Sequence, residues 1–378
     1  VRSIIIAVAS VTLAAASASA QILSEVSASH GERANLAFPR IGGYEVLVGD
    51  FHVHTTHSDG VLPTRERVLE AYLNGYTALA ITDHGNVEAY AEAKPLADAL
   101  GIVLLRGVES GVNREQHWVF LGFGDDYTPR NAHNLAATPE EAETTGRTYY
   151  RDELKKIADD GGLAFYPHPH YGWREPEEWA RRKGILVGVE VLNSCTDSGW
   201  GGEQWLGRWC YPFAFDWALE KDLTILANSD IHEAHKDAFP RARTLVLVKE
   251  RTPEGVLDAI RAGRTLAWFP DGGEKWDSPE MLWAKAGVAS RYVLDVVKVE
   301  PRELDEGIPA SGLVLRNVGA VPLGARVCVD DGRTTELVLK QGSEYLIHAP
   351  GGAKRVSVEW LNVYTRRDRT LRTEYVMK

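Results

Sequence analysis

The chain has 378 residues, 44% apolar and 25% charged, which are ordinary proportions for a folded water-soluble protein and exclude a disordered or membrane-embedded one. Its length accommodates one large α/β domain and a smaller second one. A formal net charge of −11 argues against nucleic acid as the main partner, because phosphate backbones are bound by basic surfaces that displace counterions.

Residues 1–20 read as a secretory leader: Arg2, the apolar run from Ile4 to Ala16, then the small residues Ala18, Ser19 and Ala20. The mature chain is therefore expected to begin at Gln21 and to act in the bacterial periplasm or outside the cell. The run is too short to span a bilayer, and no other stretch reaches roughly eighteen apolar residues, so no membrane insertion is expected. An oxidising compartment permits disulfides, yet there are three cysteines. Cys195 and Cys210 are candidates for a pair, with isolated packing as the alternative.

After a lead-in over 21–44, short β-rich runs alternate with helical ones through residue 276, the pattern of a parallel sheet or barrel covered by helices. Strands are predicted at 45–53, 78–82, 102–108, 117–122, 163–166, 188–192, 224–227, 244–248 and 265–268, several of them the continuous apolar runs that full burial requires. Helices are predicted at 63–73, 139–160, 176–183, 204–221 and 253–262. In the first, Val68, Leu69, Tyr72 and Leu73 form one face, and Gly75 supplies the stop. From 277 to 378 the pattern becomes strands at 291–299, 313–318, 325–329, 335–339, 344–347 and 355–364, separated by Gly, Pro and Asp turns without helices. This tail is expected to be a small antiparallel β-sandwich.

Polar residues stand where these strands end. His52 and His54, Asp83 and His84, Glu109, His168, and Asp230 with His232 each follow a predicted strand. The C-terminal strand ends of a parallel barrel open on one face, so five segments converge there. His52-x-His54 and Asp230-x-His232 each point two side chains the same way, as ligands of one centre must. A single strand histidine is usually a hydrogen-bonded core residue; five such coincidences favour a metal site. Imidazole and carboxylate donors without a CxxC pair suit Zn²⁺, Mn²⁺ or iron. The donors outnumber what one tetrahedral ion uses, which implies at least two ions, with Glu109 as the natural bridge.

The segments Asp50-Phe51-His52-Val53-His54 through Asp59-Gly60, Ile81 to His84, Gly107 to Glu109, His117 to Phe120, His168-Pro169-His170 and Asn228 to His232 resemble the successive motifs of the PHP (polymerase and histidinol phosphatase) superfamily. The resemblance covers about residues 45–270. It implies a distorted (β/α)7 barrel with two or three divalent ions (Zn, Mn or Fe). His52, His54, Glu109 and Asp230 would hold one ion, Glu109, His117 and His168 a second, and Asp59, His84 and His232 a third. His57 rivals Asp59 on the same loop; the intact Ser-Asp-Gly pattern favours Asp59. Asp83 is expected to orient the adjoining imidazole. His170 faces substrate, supports a ligand or belongs to the loop, while His30, His133, His235 and His348 are expected to be solvated or packed.

Ions sharing a water would supply hydroxide without a Ser or Cys nucleophile, in keeping with the lack of a convincing Gly-x-Ser-x-Gly elbow. Glu109 and Asp230 are the carboxylates expected to take part in catalysis. Arg114, Arg241 and Arg243 are candidates for binding a substrate anion, Arg243 foremost, with structural salt bridging as the alternative. Trp200, Trp205, Trp209 and Trp217 either wall a pocket or pack in the core. The leader, the lead-in before Tyr44, residues 218–224 and 249–252 resemble exported bacterial phosphodiesterases acting on organophosphate diesters. Hydrolysis of a small-molecule phosphodiester is thus expected, with carbamate or amide hydrolysis and phosphomonoester hydrolysis as alternatives on the same scaffold. A non-catalytic metal-binding module is the reading from another class; the intact donor set speaks against it. The physiological substrate and the oligomeric state are not legible.

Overall fold

The computed structural model describes residues 33–376, except 126, 128, 130–131, 196–200, 206–207, 235–241, 271–279, 304–309 and 351–354. The leader, His30, Trp200, His235, Arg241 and the expected boundary at residues 276 and 277 lie outside the described residues. The chain forms a mixed α/β structure around a 14-stranded sheet.

Residues 45–228 supply β1 (Glu45–Asp50), β2 (Ala78–Ile81), β3 (Val103–Val112), β4 (Gln116–Leu121), β5 (Leu163–Tyr166), β6 (Leu186–Asn193), the short hairpin β7 (Glu203–Trp205) and β8 (Arg208–Cys210), and β9 (Thr224–Asn228). Seven strands lie side by side in the order β1-β2-β3-β4-β5-β6-β9. Pairing is parallel except on either side of β4. The ends of this run meet beyond the regular strands, through a parallel bridge from Val53 to Ile231. Asp230 N–H donates to the His52 carbonyl at 2.8 Å and His54 N–H to the Ile231 carbonyl at 3.1 Å. Every residue of β2, β5 and β9 is buried, which is why these short runs are mostly apolar, with Thr224 and Asn228 at the ends of β9.

Covering helices are α1 (Thr64–Leu73), α2 (Glu88–Leu100), α3 (Pro139–Thr145), α4 (Tyr150–Asp159), α5 (Glu175–Arg182), α6 (Pro212–Glu220), α7 (Pro253–Arg261) and α8 (Ala286–Val296). α2 has no counterpart among the predicted helices, because its buried stripe is only Ala89, Ala93 and Ala97, too weak an apolar signal for periodicity to find. The helix predicted over 139–160 is two. Gly146, left-handed at φ 69°, ends α3, and Ala136 bridges Tyr149 before α4 begins. Of the helix predicted over 204–221 only α6 is helical, for β7 and β8 precede it and Pro212 fills its first turn.

Five further strands, β10 (Arg243–Val248), β11 (Thr265–Phe269), β12 (Met281–Trp283), β13 (Val297–Glu303) and β14 (Ala310–Asn317), lead into β15 (Leu323–Val329), β16 (Thr334–Leu339), β17 (Glu344–Pro350), β18 (Arg355–Arg366) and β19 (Arg369–Val376). β10 pairs antiparallel with β1, and β12 pairs with both β11 and β18. The tail is thus stitched into the main sheet, while β13, β14 and β17 form a second sheet. The helix α8 replaces part of the strand predicted at 291–299: Ala289, Tyr292, Val293 and Val296 bury one face at helical spacing. Leu313, Leu315 and Ile347 of the second sheet share a core with Val327, Val356, Val358 and Trp360 of the first.

Trp283 sits at this seam. It is fully buried, stacked on Phe215 at 4.8 Å, against Phe269 at 4.7 Å and Trp205 at 4.9 Å. Trp205 also meets Tyr364 at 4.9 Å, so the tryptophan-rich stretch contributes packing between β12, β18 and α6. Trp283→Ala is expected to cost about 3–5 kcal/mol in denaturant unfolding, with the whole cooperative transition displaced. A loss below about 1 kcal/mol would show that the seam carries little stability.

Candidate metal centre

The strand ends bring the polar residues together. His52 and His54 lie on the extension of β1, His84 just past β2 bridges Glu109 of β3, His168 follows β5, and Asp230 and His232 follow β9. Glu109 was expected just past its strand. It lies within β3 instead, because the strand runs on to Val112 as a hairpin with β4. Antiparallel β4 then starts where β3 ends, which places His117 on the same rim.

Glu109 is the hub, buried to 1% exposure. Its Oε2 lies 3.1 Å from His52 Nε2, 3.2 Å from His54 Nε2 and 3.3 Å from His84 Nδ1, and its Oε1 lies 2.8 Å from His117 Nδ1 and 3.1 Å from His168 Nε2. Asp230 Oδ1 is 3.2 Å from His52 Nε2 and 3.0 Å from His54 Nε2. Asp59 reaches His232 Nε2 at 3.3 Å and both His54 Nδ1 and His84 Nε2 at 3.5 Å. The ligand atoms of His52, His54, Glu109 and Asp230 converge as one group, those of His54, Asp59, His84 and His232 as another, and those of His84, Glu109 and His117 as a third. His57 turns away to Glu92 at 2.9 Å.

These contacts have the donor chemistry and dimensions of a metal site. His52 Nε2, His54 Nε2, His84 Nδ1 and Asp230 Oδ1 are buried and satisfy no hydrogen-bond geometry, although carboxylate or imidazole partners stand close by. Buried lone pairs left facing one another are costly. A cation among them removes the cost. In the first group four inter-ligand edges measure 3.0, 3.1, 3.2 and 3.2 Å, near the edge of about 3.3 Å of a tetrahedron with zinc-like bonds of about 2.0 Å.

Electrostatics agree. Burial disfavours a charged imidazole, yet Asp230, Glu109 and Glu190 hold His52 well above its ordinary range. His84 and His168 are also raised, against burial, by Glu109 among others. His232 is pushed up to about 11, Asp59 outweighing burial. Glu109 and Asp230 are lowered despite complete burial, because imidazoles surround them. Carboxylates that draw protons onto their neighbours so strongly draw divalent cations for the same reason.

Residues that sequence reasoning missed fix this geometry. Glu190, fully buried in β6, accepts from His52 Nδ1 at 3.0 Å and from the His168 N–H at 2.8 Å, and Asn193 and Asn228 Nδ2 each donate to it at 2.9 Å. With Nδ1 protonated toward Glu190, His52 presents its Nε2 lone pair to Glu109 and Asp230. A strand-interior glutamate inside an apolar run was the available signal. Buried Arg67 of α1 donates to the carbonyls of His54, His232 and Glu233, tying two ligand loops together. Asp83 accepts from Thr55 N–H and Oγ1 and from Ser58 Oγ; it orders the His54 to Asp59 loop rather than the adjoining imidazole.

Other expectations need correction. Arg243 does not face the cluster: its guanidinium lies over Trp268 at 4.6 Å and Tyr76 at 5.5 Å and donates to the Asn74 carbonyl at 3.0 Å. Its role is structural, through aromatic stacking and a backbone carbonyl rather than through the salt bridge named as the alternative. Cys195 and Cys210 are not joined in a disulfide; one is exposed and the other buried. His133, expected to be solvated or packed, lines the pocket beside His84, their rings 4.2 Å apart. His170 also lines it, stacked on His168 at 5.2 Å. Burial and neighbouring imidazoles lower both to about 4, so both are neutral at pH 7. The pocket over the cluster measures about 310 Å³.

Residues 50–182 match the model of the PHP domain. Over these residues the chain carries a PHP domain. Beyond the matched span, Glu190, Asp230 and His232 join the same cluster through β6 and β9. The chain is 44% identical over 120 residues to a 5'-3' exoribonuclease of Haemophilus influenzae, covering 30% of this chain and 44% of that protein. It is 30% identical over 111 residues to a PolC-type DNA polymerase III of Streptococcus agalactiae, covering 29% of this chain and 7% of the polymerase. It therefore spans less than half of either relative. Among solved structures, a two-domain protein from Bacteroides vulgatus, described as containing a predicted PHP-like metal-dependent phosphoesterase, superposes with a TM-score of 0.72 at 23% identity, covering 92% of this chain and 99% of that one. That likeness establishes a shared fold along nearly the whole chain.

Two variants separate support of the PHP site from support of the fold. Glu190→Gln is expected to weaken divalent-metal affinity by about 10–100-fold in competition titrations with a chelator, while the circular dichroism spectrum is retained. Arg243→Met is expected to lower the melting temperature and keep full metal stoichiometry. Loss of metal from the arginine variant, with none from the glutamate variant, would reverse these assignments.

Proposed function

We propose that the chain is a metal-dependent phosphoesterase that hydrolyses small organic phosphodiesters after export to the periplasm or beyond. The observation that carries the hydrolase reading is the buried convergence of His52, His54, His84 and Asp230 around Glu109. His52, His54, Glu109 and Asp230 would hold one divalent ion, the Oε1 side of Glu109 with His117 and His168 a second, and Asp59, His84 and His232 a third. Zn, Mn and Fe each suit these donors. Bound there, such ions lower the pKa of a coordinated water toward neutrality and offset charge on a phosphoryl oxygen.

The chain's own residues supply the rest. Glu190 and Arg67 hold the ligand loops in register, and the near-complete burial of His52, His54 and Glu109 keeps bulk water from the inner side of the cluster. Neutral His133 and His170 can donate hydrogen bonds to a phosphoryl oxygen without opposing the cations. The match to a PHP domain supports phosphoester chemistry over carbamate or amide hydrolysis. A diester is favoured over a monoester by the resemblance to exported phosphodiesterases, and a small molecule over nucleic acid by the net charge of −11. The ring of seven strands as a distorted barrel, and the tail as a β-sandwich domain, belong to the same reading.

The test is turnover by protein purified without chelator, on bis(p-nitrophenyl) phosphate, p-nitrophenyl phosphate, the carbamate carbaryl and a short single-stranded oligonucleotide. The diester is expected to be cleaved with kcat/KM at least about tenfold above the monoester, and Glu109→Gln to lower kcat by about 10³-fold or more. Cleavage of the carbamate alone, or a preference for the oligonucleotide, would replace this substrate class.

A further inference from the structure

We propose that Arg114 selects the substrate, its guanidinium binding a second anionic group on a phosphoester whose reacting phosphoryl lies at the metal centre; this rests on the phosphoesterase reading above.

Arg114 stands at the tip of the β3–β4 hairpin and lines the same pocket as His84, His117 and His133. It is exposed, and no described carboxylate lies within ion-pairing distance of it. Among the described residues lining the pocket it is the one lysine or arginine. Arg67 is buried beneath the ligand loops, Arg243 is boxed by aromatic rings, and Arg174 lies over Tyr171 at 5.3 Å. A guanidinium facing a ligand pocket without a protein counterion is available to a ligand anion, which it can engage through paired N–H groups.

The backbone indicates that this placement is built. Five described non-glycine residues have left-handed φ, and Asn113 (52°), Arg114 (61°), His168 (24°) and Asp230 (52°) are four of them. Two are metal-ligand candidates and two form this turn. Such conformations persist only where surrounding structure enforces them. Here Arg147 is the clamp: its Nη1 donates to Asn113 Oδ1 and to Asn134 Oδ1, each at 2.7 Å. Asn113 N–H donates to the Leu135 carbonyl at 3.0 Å, and Leu135 N–H to the Gly111 carbonyl at 2.8 Å. The hairpin tip is thereby fixed to the segment that carries His133, so Arg114 loses less freedom on binding than an arginine on a loose loop.

Position separates its role from that of the metal ligands. None of the carboxylates of the cluster pairs with Arg114, so its charge lies outside the group that would receive the reacting phosphoryl. A pocket of about 310 Å³ has room for a ligand with two separated charges. Glu115 also faces it, which disfavours indiscriminate anion binding and places the favourable position at Arg114.

The experiment compares propylphosphonate with 3-phosphonopropionate and propane-1,3-bisphosphonate, binding each by calorimetry to the full chain purified without chelator. The two doubly charged ligands carry a carboxylate and a second phosphonate, and the larger gain identifies which anion the site prefers. The wild type is expected to bind them about 3–10-fold more tightly than propylphosphonate. Arg114→Met should erase the preference and leave propylphosphonate affinity within about twofold, and Arg114→Lys should keep part of it. Equal binding of all three by the wild type, or a uniform loss across all three in Arg114→Met, would overturn the assignment. Failure of the wild type to bind propylphosphonate at all would overturn the phosphoesterase reading, and this assignment with it.

Discussion

Two oxygens of Glu109 face five imidazoles in the interior of the protein, and the rest of the structure serves that arrangement. Oε2 meets His52, His54 and His84, while Oε1 meets His117 and His168, so one carboxylate addresses two groups of donors at once. A buried carboxylate and its imidazoles have few ways to balance charge: the rings take up protons, or cations enter between them. No lysine or arginine stands among the described residues of the cluster to offer a third way. The strand order, the closing bridge between Val53 and Ile231 and the left-handed backbone at His168 and Asp230 bring donors from five other segments to that carboxylate.

Support for the cluster comes from polar residues buried behind it. Glu190 touches His52 and the backbone of His168, linking ligands that lie 116 positions apart in sequence. Arg67 gathers the carbonyls beside His54 and His232 from the other side. These groups are satisfied by one another and are correspondingly rigid. Within the cluster, atoms without such partners, on His52, His54, His84 and Asp230, stand where a cation would complete the set.

Most of the residues that converge were legible in the sequence because strand ends announce themselves as a polar residue after an apolar run, and five such junctions in order are hard to produce by packing alone; Asp59 and His117 were reached only through the family resemblance. Glu190 was not, since it lies inside an apolar strand and its charge is recognisable only beside His52. Arg243 showed the opposite failure. A cation at the start of a strand looks available in sequence, but Trp268, opposite it on β11, and Tyr76, from far earlier in the chain, enclose it. Arg114 and Arg243 were indistinguishable along the chain; burial separates them. Helix α2 escaped notice because alanines make its buried stripe, and α8 because Val293, Leu294 and Val296 also satisfy a strand pattern when read locally. The tail's strands were visible as strands, whereas the pairing of β12 with β18, which joins them to the main sheet, depends on a contact between residues about eighty positions apart.

Crystals soaked with Mn²⁺ or Zn²⁺ and measured at the metal's absorption edge would test the central claim most directly. Anomalous density is expected among His52, His54, Glu109 and Asp230, with a second peak on the Oε1 side of Glu109 beside His117 and His168. Saturating metal with no anomalous peak within about 3 Å of the Glu109 carboxylate would contradict the account.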